Sequence, residues 1–356
     1  MSSHVSAIVG TDGSSLADPT VGRAAWLARH NDADLVIIGD YPADRVLGWT
    51  TTEVSKRTRC AAPCRPRPPA PPRLRRCRRC VGRGRFEHAP TVANMHPRDV
   101  LAQAARDPDA VGRYAPGPDC VIDLYLPPGS DAASVIVLAH GGYWQFDRRP
   151  CRLLAGALAD DGFIVVLPEY RLTGGGGGWP QSYRDIRAAV NHLPELLATL
   201  AQPSPVNIVL MGHSAGGHMA MWLARRTALP VEIIRVVALA PAADLRSMYE
   251  RHLNDAAMVA LMGGSPEQVP DRYAAADALP GNATDVPVTV LHGAGDEVIP
   301  VEMSRAVTGV EYRELSGVGH FDIIDPRTSA YLAVLAAVRG ESQAHRLGST
   351  PMPLRR

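Results

Sequence analysis

Residues 206–226 read VNIVLMGHSAGGHMAMWLARR. Val206–Met211 reads as an apolar strand, polar only at Asn207. Ala215–Arg226 has helical spacing. Between them lies Gly212-His213-Ser214-Ala215-Gly216, a G-x-S-x-G string. Small residues on both sides of the serine permit a sharp corner from strand to helix. Such a corner holds the Ser214 hydroxyl at a sheet edge in a strained conformation, as a nucleophile requires. A plain turn serine is the alternative. The strand before it and the helix after it favour the nucleophile.

Working outward, Cys120–Leu126, Ser134–Ala139, Phe163–Leu167, Ile233–Leu239, Val286–Leu291 and Tyr312–Leu315 read as further strands. Arg152–Asp160, Ser182–Leu197 (interrupted or restarted near Pro194), Leu245–Met262 and Ser329–Val338 read as helices. Strands alternating with helices of this length predict an α/β fold, a mostly parallel sheet with helices on both faces.

His140-Gly141-Gly142-Tyr143-Trp144 directly follows a strand, about 70 residues before Ser214. Acyl transfer generates an oxyanion that needs donors already in place. Two successive glycines let main-chain amides turn inward without a Cβ clash. The N–H groups of Gly142 and Tyr143, with that of Ala215, are the expected donors. A glycine-rich connection is the alternative. The serine also needs a base. His320, in Gly317-Val318-Gly319-His320-Phe321, follows the last strand and is read as that base. His213 is expected to be buried in the elbow. His218 is expected to pack there or line the pocket, and His292 ends a strand. The base needs an orienting carboxylate. Asp296, just past the strand Val286–Leu291, is the first choice. Asp244 is the second, and Asp322 is expected to point elsewhere. The order Ser214, Asp296, His320 is the chain order of α/β-hydrolases.

With these residues in hand, about 118–340 resembles the kynurenine formamidase-like branch of the α/β-hydrolases, close to the hormone-sensitive-lipase type of esterase. The string at 140–144 carries the resemblance, having two glycines where many of the neighbouring esterases have three. Pro168-Glu169-Tyr170-Arg171-Leu172 matches as well. The resemblance implies hydrolysis of N-formylkynurenine to kynurenine and formate; a small-molecule carboxylesterase is the second reading. It makes Ser214, Asp296 and His320 the triad, and Gly142, Tyr143 and Ala215 the oxyanion donors. An acyl-enzyme route of this kind requires no metal or organic cofactor. Tyr143, Trp144 and Trp179 read either as an aromatic wall for an aryl substrate or as packing. Gly174–Gly178 reads as a mobile loop or a spacer. The expected partner is a small acyl substrate, and a homodimer is left open. A hydrolase fold that has lost activity and serves as a scaffold is a third reading, against which the complete triad argues.

The N-terminal part differs. VSAIVG at 5–10 reads as a strand, TDGSS as a turn, Leu16–His30 as a helix and Leu35–Gly39 as a second strand. This resembles the first third of a universal stress protein, in which the Asp of that turn (Asp12 here) contacts adenine nucleotide. The family's glycine-rich phosphate loop is missing, so a nucleotide-binding stress protein is the remote rival. Residues 51–92 are rich in Arg, Pro and Cys and are expected to be a disordered linker. Of 37 basic side chains, 12 lie between 56 and 85 without one acidic residue; the other 25 face 36 acidic ones. Cys60, Cys64, Cys77 and Cys80 have zinc-like spacing but no apolar residues to wrap a metal. Between Cys60 and Arg85 it also lacks aromatic residues for nucleic-acid stacking. Its composition, in a chain with one Lys and 36 Arg, is what a GC-rich gene yields out of frame. Cys120 and Cys151 read as single buried thiols. The expected division is 1–50, 51–92, 93–340 and a 341–356 tail. No apolar run spans a bilayer and no signal peptide is read, so a cytoplasmic location is expected.

Overall fold

The computed structural model describes the backbone of Ser6–Gly10 and Asp34–Ile38, and then residues 105–129, 134–199, 207–225, 229–254, 257–279 and 286–341. The chain falls into two units, residues 1–93 and 94–356. In the first, β1 (Ser6–Gly10) pairs in parallel with β2 (Asp34–Ile38). The helix read over Leu16–His30, the Asp12 turn, the linker, its four cysteines and the tail beyond Glu341 lie outside the described residues.

The second unit is built on eight strands: β3 (Ala110–Arg113), β4 (Val121–Tyr125), β5 (Val135–Ala139), β6 (Ile164–Pro168), β7 (Asn207–His213), β8 (Glu232–Leu239), β9 (Val288–Gly293) and β10 (Glu311–Leu315). Their order in the sheet is β10-β9-β8-β7-β5-β6-β4-β3. From β10 to β6 all neighbours are parallel; β4 is antiparallel to both β6 and β3.

The apolar runs are continuous because both faces of the sheet are covered. In β5, Val135, Val137 and Ala139 enter one core and Ile136 and Leu138 the other; β6 and β7 alternate in the same way. The first core is closed by α2 (Gln181–Asn191), α3 (Leu193–Thr199) and α4 (Ala215–Ala224), which contribute Ile186, Leu193 and Met219. The second is closed by α1 (Arg152–Asp160) and α9 (Ala330–Arg339), through Leu154, Leu158, Val334 and Ala337. This is the expected architecture.

Several boundaries differ from the sequence reading. The break between α2 and α3 falls at His192, and Pro194 sits in the first turn of α3, where a proline's missing N–H costs nothing. The single helix read over Leu245–Met262 is two, α5 (Leu245–Glu250) and α6 (Ala257–Met262). His252 and Asn254 between them have φ of 54° and 55°, left-handed conformations that end a helix. The short α7 (Pro270–Ala276), α8 (Val301–Arg305) and edge strand β3 were not read. The five-glycine run folds as a hydrogen-bonded turn: Gly175 and Gly177 N–H donate to the Leu172 carbonyl, and Gly178 N–H to Ser182 Oγ.

Candidate active site

Four loops leave the carboxyl ends of parallel strands of one sheet, and the sequence-predicted residues lie on them. β5 runs into His140–Trp144, β7 into Ser214, β9 into Asp296 and β10 into His320. In open α/β sheets this edge is where ligands bind.

Ser214 has φ 55° and ψ −118°, a strained backbone for a residue with a side chain. The surroundings enforce it. Its N–H donates to the Leu239 carbonyl at 2.9 Å, and its own carbonyl accepts from His218 and Ala242 N–H, each at 3.1 Å. The motif glycines are required by space. A Cβ on Gly212 would stand 2.1 Å from the Gly216 carbonyl oxygen, and one on Gly216 2.0 Å from that of Ala139.

The loop after β5 presses against this elbow. A Cβ on Gly141 would lie 3.0 Å from Ser214 Cβ. Gly142, Tyr143 and Trp144 have φ of 99°, 52° and 59°, closed by Gln145 and Phe146 N–H on the Gly142 carbonyl. The N–H groups of Gly142, Tyr143 and Ala215 donate to no acceptor among the described residues. They are therefore free to serve an incoming oxygen.

His320 Nδ1 lies 2.6 Å from Asp296 Oδ2, and the Asp296 side chain is fully buried. Asp296 Oδ1 accepts from Val298 and Ile299 N–H at 2.8 and 2.7 Å. Burial opposes ionisation of this carboxyl, but His320 and His292 outweigh it and hold it well below the usual carboxylate range. His320 is tied to the elbow through its neighbour: His213 Nε2–H donates to the His320 carbonyl at 2.8 Å, with the two rings 4.6 Å apart. Burial, reinforced by His320, lowers the His213 pKa to about 3. The sequence alternatives have other work. Asp244 caps α5 by accepting from Ser247 N–H. Asp322 accepts from Gly319 N–H at 2.7 Å and shapes the loop that carries His320.

His292 was not read as part of the site. Its Nε2 lies 3.0 Å from both Asp296 Oδ2 and the Ile299 carbonyl, and its Nδ1 lies 2.7 Å from Ser304 Oγ. The signal available in the sequence was a histidine ending a strand four residues before the acid. A second group that the sequence does not signal is the chain of paired polar side chains behind the β5 loop, Asp123, Arg148, Glu169 and His140.

The aromatic wall is corrected in part. Trp144 is fully buried and set edge-on to His218, so it is a packing residue. The positive φ at 143 and 144 turns it into the core behind the elbow. Its Nε1 and the Tyr183 hydroxyl are buried with no hydrogen-bond partner among the described residues, so packing alone holds them. His218 is buried too, between the Ala242 and Ala276 carbonyls, and burial lowers its pKa to about 4. Tyr143 is buried, and burial pushes its hydroxyl up. Trp179 is half-buried, edge-on to Tyr183 and Trp222. Among the described residues, no helix is long and apolar enough to cross a membrane.

Known proteins resemble this chain in sequence and in fold. The BD-FAE family model matches residues 122–309, more than half the chain. Kynurenine formamidase of Drosophila melanogaster is 24% identical over 258 residues, covering 67% of this chain and 83% of the relative. A candidate thioesterase of Silicibacter sp. TM1040 superposes with a TM-score of 0.52 at 26% identity, over 68% of this chain and 88% of its own. Esterase B of Lactobacillus rhamnosis superposes with 0.55 at 20% identity, over 68% and 90%. The latter likeness concerns the fold alone. Fold, family match and relatives lead to one conclusion: the chain belongs to the BD-FAE family of esterase-type α/β-hydrolases.

Proposed function

We propose that residues 93–340 form a serine hydrolase that cleaves a small amide through an acyl-enzyme, with N-formylkynurenine as the substrate. His320 takes the proton of Ser214 as the hydroxyl attacks the carbonyl carbon. Asp296 holds the imidazole in the correct tautomer and stabilises its charged form. The N–H groups of Gly142, Tyr143 and Ala215 receive the oxyanion. His320 then protonates the leaving amine, and water frees the acyl group as formate. Trp179 is the aromatic residue left to meet an aryl leaving group.

One observation carries the reading: a 2.6 Å contact between His320 Nδ1 and a buried carboxylate, on the same sheet edge as a serine at φ 55°. The choice of substrate leans on the likeness to kynurenine formamidase. Membership of an esterase-type family supports a second reading, a carboxylesterase for small esters.

The test compares N-formylkynurenine with p-nitrophenyl acetate for the wild type and Ser214→Ala. The wild type is expected to show the higher kcat/KM on the formamide and to take a fluorophosphonate label. Ser214→Ala is expected to lose at least about 1,000-fold on both substrates, and the label with it. A higher kcat/KM on the ester assigns the carboxylesterase. Undiminished turnover by Ser214→Ala refutes the serine mechanism.

A further inference from the structure

The loop that holds two of the proposed oxyanion donors is fastened at both ends by one carboxylate. Glu169 directly follows β6, the neighbour of β5 in the sheet. Its Oε1 lies 2.8 Å from Nε2 of His140, where the loop begins. Its Oε2 accepts from the main-chain N–H and the Nη1 of Arg148, both at 3.2 Å, where the loop ends. Gly142 and Tyr143 lie between these two points. Tyr170 reinforces the first. Its ring stacks on His140 at 4.1 Å, nearly parallel, and its hydroxyl donates to the His140 carbonyl at 3.0 Å. Asp123 reinforces the second, with Oδ1 2.7 Å from Arg148 Nη2.

Three consecutive positive φ angles are not a conformation this segment adopts unaided. Such strain persists only where the surroundings over-determine it. Oxyanion donors also work only when held where charge develops, since a small displacement weakens each bond steeply. The Glu169 side chain is almost fully buried and that of His140 completely. The His140 contact is therefore unscreened by water.

We infer that Glu169 is a positioning residue for the oxyanion donors, a carboxylate strap that fixes the 140–148 loop against the elbow. The inference rests on the serine-hydrolase reading. Glu169 acts through the loop and not by touching the substrate. Loosening it weakens binding of the transition state more than binding of the substrate.

The experiment uses the full chain with p-nitrophenyl acetate as substrate and phenylboronic acid as probe, since a boronate bonded to serine places an oxygen where the oxyanion forms. Glu169→Ala is expected to lower kcat by about 10- to 100-fold with KM changed less than about twofold, and to weaken the boronate by the same factor as kcat. Glu169→Gln is expected to restore most of both. Its amide oxygen still accepts from Arg148, and its N–H can donate to the other tautomer of His140, with only the Tyr170 N–H bond to Oε1 given up. Arg148→Met, which removes the side-chain bond to Oε2 but keeps the main-chain one, and also takes one partner from Asp123, is expected to show a smaller loss of the same kind. It also decides the matter if Glu169→Ala does not fold. Wild-type kcat in the folded variants overturns the inference. So does a loss of kcat that leaves boronate affinity unchanged. Ser214→Ala separates the two claims: if it keeps wild-type turnover, the serine reading itself fails. If it is dead while the Glu169 and Arg148 variants are normal, only the strap fails.

Discussion

At Asp296 the protein surrounds one carboxylate with partners. Two main-chain N–H groups hold Oδ1; His320 and His292 face Oδ2. With its acceptor sites occupied, the carboxylate stays ionised and cannot swing away from His320. His292 is itself fixed by Ser304, so the acid rests on a second layer of buried groups. Removing that layer leaves the site assembled but looser. His292→Leu is expected to fold, to raise the Asp296 carboxyl towards its ordinary range, and to lower kcat about tenfold with little change in KM. Steady-state kinetics with a circular-dichroism check on folding reads this out. An unchanged kcat would show that His292 only fills space.

β4 and α1 meet over a buried charge. Asp123 on β4 is fully buried, with Arg148 and Arg152 each 2.7 Å away. Apolar neighbours on either side of it in the strand, Ile122 and Leu124, face the first core. The alternation of the strand therefore turns Asp123 to the other face, towards the start of α1, where the two arginines meet it. Breaking such a pair by removing one partner leaves the other charge uncompensated. Both arginine side chains retain some exposure, 16% and 27%, which tempers the cost. Asp123→Asn is expected to destabilise the protein by about 2–3 kcal/mol. In a urea titration this is a lower midpoint with the slope preserved. A shift below about 0.5 kcal/mol would mean that the pairing is worth no more than an exposed ion pair.

At the scale of the whole hydrolase unit, two histidines buried in neutral form are expected to make stability depend on pH between 8 and 5. His213 titrates at about 3 and His218 at about 4, both lowered first by burial, against about 6.5 unfolded. Between these values the unfolded chain binds more protons than the folded one, so stability falls as pH falls below about 6.5. At pH 5 each histidine is expected to have cost about 2 kcal/mol relative to pH 8. Asp296 acts lower down. Its folded carboxyl is depressed, so its contribution is full above about 3.9 and is lost as pH falls further. Thermal unfolding at pH 8 and pH 5 is expected to differ by roughly 10 °C. His218→Gln, which cannot be protonated, is expected to remove about half of that difference. A Tm independent of pH over this range would show that neither histidine stays neutral in the folded state.

The sequence by itself determined the sheet, the two-faced burial of its central strands, the elbow at Ser214 and the order of Ser214, Asp296 and His320 along the chain. Each of these is local: an apolar run, a pair of small residues beside a serine, a glycine-rich string after a strand. It left open whether Asp296 or Asp244 meets His320, and whether Trp144 is buried. It passed over β3, the break at His252 and Asn254, the contact of His292 with Asp296, and the contacts of Glu169 with both ends of the 140–148 loop. Only the tertiary structure decided these, because they depend on which strand ends become neighbours. β5 lies between β6 and β7, though more than twenty residues separate it from either in the chain. No pattern along the chain reports that adjacency, and it is what brings Glu169 to one side of His140 and Ser214 to the other.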